Sequence, residues 1–162
     1  MTSALFSACQ FREQCHSWQE AVTLACKPLE ELGAITSAYA QAIIRETEQL
    51  GPWYILSPEF ALPHARPEEG VISSETHLSL LCLNEAVPFP GHPDVRLIIV
   101  LAAASSTRHI EMIQKLVCWL DEGEHLQQLT SMTSQAQLHC TLKACEYLAT
   151  SGIPAIDRKS VV

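Results

Sequence analysis

No apolar run in this sequence is long enough to cross a membrane: the longest, Leu97 to Ala104, has eight residues, against the roughly 20 that a bilayer-spanning helix needs. Positive charge is scarce, with 10 Lys and Arg against 18 Asp and Glu and a formal net charge of −8. That balance argues against nucleic acid and favours encounter with a partner that carries a basic patch. The opening Met1-Thr-Ser-Ala-Leu-Phe lacks the basic segment and long apolar segment of a secretory signal, so a cytoplasmic location is expected, without membrane insertion. The 7 cysteines form no Cys-x-x-Cys pair and are odd in number, which suggests neither a zinc site nor a complete disulfide framework. They read as reduced thiols, several of them small core residues. There is no Walker-type glycine loop, no internal repeat and no low-complexity segment. His16, His92, His125 and His139 show no metal spacing and read as surface groups, and no cofactor or metal is expected.

What is present is an ordinary globular composition, 48% hydrophobic over 162 residues, enough for one domain with a real core. The domain is expected over residues 1–162, with its core at about 17–150 and a loose tail at 151–162. Near Ala8 to Arg12 the pattern fits a short strand or a helical turn. Ser17 with Glu20 makes a capping box, and Trp18, Val22, Ala25 and Leu29 follow at helical spacing, so a helix starts there, which Pro28 kinks or divides. After Gly33, Thr36 caps a second helix with Tyr39, Ala40, Ile43 and Ile44 toward the core and Arg45, Glu46 and Glu48 in solvent, until Gly51-Pro52 stops it. Trp53 to Leu56 reads as a short strand. His77 to Leu83 alternates as a strand does, with His77 structural; Pro88, Pro90, Gly91 and Pro93 make a proline-rich connection, and Val95 to Ala103 is the deeply buried central strand.

Ser105, Ser106 and Thr107 offer caps for a helix that continues with Ile110, Ile113, Val117 and Leu120 and whose first turn holds His109. Asp121 with Glu124 suggests a further capping box for a short helix through Leu129. Ser134 or Thr133 opens the last helix, with Leu138, Leu142, Cys145 and Leu148 at helical spacing and Gly152 beyond its end. Strands interleaved with helices predict an α/β (α+β-like) fold, a mixed β-sheet flanked by helices.

The stretch Gly51 to Gly70 stands out, because it sets His64 between Pro63 and Pro67. Each proline fixes its own φ and pushes the preceding residue toward extended backbone, so the segment cannot be helical. A stiff, exposed loop is the expectation, holding an imidazole in one orientation as a nucleophile or ligand requires. His109, at a helix start directly after the central strand, lies where unpaired N–H groups and the helix dipole favour an anion. Arg66 is two residues from His64 and is a candidate for offsetting charge there.

The string Ala61-Leu62-Pro63-His64-Ala65-Arg66-Pro67-Glu68 resembles the active-site segment of phosphotransferase-system enzyme IIA domains of the mannitol/fructose type, most of all their ascorbate-type branch. The likeness extends upstream through Ser17-Trp18, Glu20-Ala21, Lys27-Pro28-Leu29, Ile35-Thr36 and Tyr39. Downstream it takes in Val87-Pro88-Phe89, the run from Val95 to Ala104 and His109-Ile110, so that it spans about Ser17 to Leu148. The resemblance implies the mannitol-type enzyme IIA fold. It also implies that His64 accepts a phosphoryl group from the phosphohistidine of HPr and gives it to the cysteine of a sugar-specific enzyme IIB, the partner of a membrane IIC, while His109 bonds the phosphoryl oxygens. HPr and IIB are expected to compete for one apolar patch including Phe60, Leu62 and residues near Val71. Two departures are visible. Mannitol-type members carry an arginine on the second helix where counting from Tyr39 puts Glu46, with Arg45 one position off. Glu59 stands where the family usually has glycine, and either raises the pKa of His64 or is solvated.

Three functional readings follow. The first is a phosphocarrier, a transferase component working through a phosphohistidine. The second is a regulatory binding module on the same fold, whose phosphorylation state controls a partner. A decayed paralogue is the third, and intact His64 and His109 argue against it. The sugar cannot be read, because such a carrier never touches it.

Overall fold

The structure is a computed structural model, which describes residues 5–151, with side chains through residue 143. Gly152 and the expected tail lie outside the described residues, as do the side chains of Cys145 and Leu148. The chain forms β1 (Ala8–Arg12), α1 (Trp18–Glu31), α2 (Ser37–Leu50), β2 (Ile55–Ser57), β3 (Phe60–Ala61), β4 (His77–Phe89), β5 (His92–Ala102), α3 (Ser106–Asp121), α4 (His125–Thr130) and α5 (Gln135–Ser151). The five strands make one mixed sheet in the order β1-β4-β5-β3-β2. β1 runs parallel to β4 and β3 parallel to β5, while β4 with β5 and β2 with β3 are antiparallel.

The central position of β5 follows from its sequence. A strand covered on both faces must be apolar at every position, and Leu97 through Ala103 are all buried. Alternation then divides it between two cores. Ile98, Val100 and Ala102 join Leu81 and Leu83 against α1 and α2. Leu97, Ile99 and Leu101 join Leu78, Leu80 and Cys82 on the other side, against Leu116 and Leu120 of α3, Leu129 of α4 and Leu138 of α5. The result is a three-layer sandwich, the mixed sheet with flanking helices that the sequence predicts.

Pro28 does not divide the chain into two helices; α1 runs through it. Proline has no N–H to give the carbonyl four residues back, and that carbonyl, of Leu24, accepts instead from the Gln10 side-chain amide at 2.8 Å. The residues near Ala8 form a strand, which puts Gln10 where it can do so. The expected proline-rich connection is a tight hairpin instead: Pro88 and Pro93 sit inside β4 and β5, and only Pro90-Gly91 turns, with Gly91 at φ 79. Both strand prolines are exposed and lie beyond the segments paired with β1 and β3, at the register shift between Val87 and Phe89 in the β4–β5 pairing, the kind of place where strand prolines are tolerated.

Three cap readings change as well. Thr36 makes no side-chain cap; its N–H donates to Gly70 O at 2.9 Å. Asp121 ends α3, and the chain turns through Gly123 and Glu124, both at positive φ, with no side-chain cap on α4. Ser17, Ser105 and Ser134 do cap α1, α3 and α5, accepting from Glu20, Arg108 and Gln137 N–H. On α3 the inward face is set by Leu116 and Leu120, whereas Ile110 is 58% exposed and Val117 38% exposed. Among the described residues no helix is long and apolar enough to cross a membrane.

Candidate active site

Two parallel neighbours, β3 and β5, end on the same side of the sheet, and each delivers one histidine there. β3 runs out through Leu62 and Pro63 to His64, and β5 runs out into the turn that starts α3 and carries His109. Strand ends and helix N-termini converge in this way at anion sites in α/β folds.

The loop of His64 is pinned along its length. Leu62 N–H donates to Tyr54 O at 3.1 Å and Leu101 N–H to Pro63 O at 3.2 Å. The Tyr39 hydroxyl, buried under the loop, donates to Leu101 O at 2.6 Å and accepts from Ala65 N–H at 3.1 Å. Gly70 closes the loop against α2 at φ 142; a Cβ there would lie 2.8 Å from Thr36 Oγ1 and 2.9 Å from the Tyr39 nitrogen, so only glycine fits.

His64 itself is buried, at 9% exposure, which corrects the expectation of an exposed loop. Prolines prevented helix, but packing decided accessibility: one side of the ring meets Trp53 at 4.7 Å between centroids and 88°, another meets His109 at 4.3 Å and 75°. His64 Nδ1 lies 2.7 Å from Leu62 O. A carbonyl can only accept, so Nδ1 carries the proton and Nε2 keeps its lone pair. Burial disfavours the imidazolium and pushes the His64 pKa down to about 4; the Leu62 carbonyl opposes that shift and the nearby His109 adds to it. The ring is therefore neutral and nucleophilic at Nε2 at physiological pH. Burial also lowers the pKa of His109, which keeps it a neutral ring able to donate one N–H.

His64 and His109 open into a cleft of about 370 Å³, ample for a phosphoryl-sized group and the approach of another side chain. Ser106, Arg66, Glu46, Ile110 and Ile113 also line it. His109 N–H bonds Ser105 O and Arg108 N–H bonds Ser105 Oγ, which leaves the amides of Ser106 and Thr107 without an intrahelical partner. The α3 start can thus offer main-chain donors as well as the His109 ring. Arg66 reaches the cleft wall, yet its guanidinium bonds Glu69 at 3.1 Å and its side chain is 71% exposed. Arg45 turns to the same Glu69, at 3.3 Å. Glu46, expected in solvent, is half-buried in the cleft.

Glu59 takes the solvated option: its side chain is 47% exposed, 4.0 Å from Arg96, in a separate cleft with Asp94. Trp53, Ser106 and the hydroxyl of Tyr39 were not among the sequence candidates. Trp53 had a faint signal, an aromatic directly after a helix-stopping Gly-Pro. Phe60 and Leu62, expected on the docking surface, are 2% and 1% exposed and belong to the core; the apolar rim consists of Trp53, Ile110 and Ile113. Among the described residues no group of three or more metal-ligating side chains gathers.

Comparison with known proteins decides the family. The model of the phosphoenolpyruvate-dependent sugar phosphotransferase system EIIA 2 family matches residues 7–145. The chain belongs to this family. It is 43% identical over 122 residues to the mannitol-specific cryptic phosphotransferase enzyme IIA component of Escherichia coli K12, covering 75% of this chain and 82% of that protein. It is 31% identical over 133 residues to the ascorbate-specific PTS system EIIA component of the same strain, covering 80% and 84%. Among solved structures, the solution structure of the mannitol-specific cryptic enzyme IIA from Escherichia coli aligns with a TM-score of 0.74 at 39% identity, over 82% of this chain and 90% of that one. As EIIA 2 members these proteins share the mixed-sheet fold described above, and components of this kind are phosphotransferases.

Proposed function

We propose that this EIIA 2 protein is a cytoplasmic phosphocarrier that takes a phosphoryl group from phospho-HPr onto His64 and passes it to the cysteine of an enzyme IIB, which serves a membrane IIC. The observation that carries the reading is the fixed tautomer of His64, with Nδ1–H held by Leu62 O at 2.7 Å, which leaves the lone pair on Nε2 of a ring that lines a cleft beside His109. In the accepting step the Nε2 lone pair attacks phosphorus, the P–N bond of the donor breaks, and its bonding pair returns to the donor imidazole. The positive charge that His64 gains is shared toward Leu62 O through Nδ1–H. In the delivering step a thiolate attacks phosphorus and the P–N pair returns to Nε2.

His109 and the amides opening α3 stand on the side where equatorial phosphoryl oxygens gather charge, and stabilise it as fixed donors do. Arg66 is a reserve cation. Its pair with Glu69 is exposed and worth ~1 kcal/mol or less, so it can swing to a bound phosphoryl group. The relatives carry mannitol and ascorbate names, and the site never contacts sugar, so the sugar is set by the IIB and IIC partners. The test is incubation with phosphoenolpyruvate, enzyme I and HPr, followed by intact-mass measurement and then addition of enzyme IIB. One acid-labile phosphoryl group should appear and should leave when IIB is added; no gain of mass refutes the reading.

A further inference from the structure

The cleft beside His64 contains a carboxylate that the phosphocarrier reading leaves unused. Glu46 lines it, and among the described residues no cation lies within ion-pair distance of Glu46; the two nearby arginines, Arg45 and Arg66, both bond Glu69. A phosphoryl group on Nε2 would bring about two negative charges into the same cleft. His64 and His109 are both neutral there, and Arg66, the cation on the cleft wall, is paired with Glu69, so nothing in the resting cleft offsets Glu46. Glu46 thus opposes any anion entering alone, and stops doing so once a cation enters beside it.

Resting on the phosphocarrier reading, we infer that Glu46 is a specificity-determining residue. It admits phosphoryl transfer from a donor protein that presents a lysine or arginine next to its phosphohistidine, and disfavours small anionic donors. The chain's formal charge of −8 fits the same kind of partner. Glu46 does not touch the reacting atoms; it acts through the charge of whatever occupies the cleft.

The experiment compares wild type with the near-isosteric Glu46→Gln, using two donors at low and high salt. The first donor is phosphoramidate, small and anionic: Nε2 attacks phosphorus, the P–N bond breaks, and ammonia leaves with the bonding pair and a proton from solvent. Removing the carboxylate should speed this reaction about two- to five-fold at low salt, as Coulomb interaction across a wet cleft allows. The second donor is purified phospho-HPr, with which Glu46→Gln should be slower, by about three- to ten-fold at low salt. Both differences should fade near 1 M salt, where the screening length is about 3 Å. Opposite signs with the two donors support the inference, because a merely structural role of Glu46 would move both rates the same way. Changes of one sign, or none, overturn it while leaving the carrier reading intact. If the wild type takes no phosphoryl group from either donor, the carrier reading fails and this inference fails with it.

Discussion

The Tyr39 hydroxyl donates to the Leu101 carbonyl at 2.6 Å, so that α2 is tied to the end of the central strand with the His64 loop caught between them. The same oxygen accepts from Ala65 N–H, one residue from the imidazole. Tyr39→Phe removes the donor and leaves both main-chain groups buried without it. The expected cost is ~1–3 kcal/mol, read by urea unfolding, together with a slower phosphoryl uptake because the loop is no longer pinned. A variant as stable and as fast as wild type would show the loop to be held by its prolines alone.

His64 should be the only residue to carry the phosphoryl group. Because the ring is packed between Trp53 and His109, truncation to alanine would leave a gap, and His64→Gln is the better variant. It should fold, as judged by circular dichroism, and gain no mass from phospho-HPr. A folded His64→Gln that still takes up an acid-labile group would move the site elsewhere.

With His109 removed, the transition state loses one fixed donor. His109→Ala should still accept phosphoryl at His64 but deliver it more slowly, by on the order of 2–4 kcal/mol in the barrier, as for oxyanion donors. Rapid-quench transfer to enzyme IIB measures this. Unchanged delivery would take His109 out of the chemistry.

Acid should weaken the fold through His64. Its pKa is lowered from 6.5 to about 4 by burial, so between those values the unfolded chain binds a proton that the native protein does not. The stability gained by keeping the ring neutral is complete above pH 6.5 and is lost as pH falls toward 4, by on the order of 3 kcal/mol. His109, lowered by the same cause, contributes with the same sign. Urea titrations at pH 7.5 and pH 4.5 should show a larger loss for wild type than for His64→Gln; parallel losses would place the acid sensitivity in other groups.

Trp53, Ile110 and Ile113 rim the cleft, and Ile110 is 58% exposed. Both partners must reach the same nitrogen, so both should use this rim and exclude one another. Ile110→Asp should change stability by no more than about 0.5 kcal/mol yet weaken each partner about ten-fold or more, the loss expected at a central interface residue. Titration of HPr into a complex with enzyme IIB reads the competition directly, and a ternary complex would contradict it.

The sequence by itself determined the elements whose causes are local. Apolar residues at every position specified β5 as the strand covered on both faces, the Ser17 cap placed the start of α1 and hydroxyl residues bracketed those of α3 and α5, and two prolines kept His64 out of a helix. Its matched string also carried the family. Tertiary structure decided what depends on residues distant in the chain. Whether His64 is exposed is fixed by Trp53 and His109 packing on it, not by its flanking prolines; that burial sets its neutrality, and the Leu62 carbonyl on Nδ1 sets the nitrogen left free. Pro28 could continue α1 only because Gln10, on a strand the local pattern left undecided, reaches the carbonyl it orphans. Ile110 and Val117 recur with Leu120 at helical spacing, yet packing against the sheet buries Leu116 and Leu120 and leaves Ile110 and Val117 partly outside. Glu46 and Arg45 are adjacent in sequence and point to opposite fates, one into the cleft and one to Glu69, because helical rotation of about 100° per residue separates neighbours that composition treats alike.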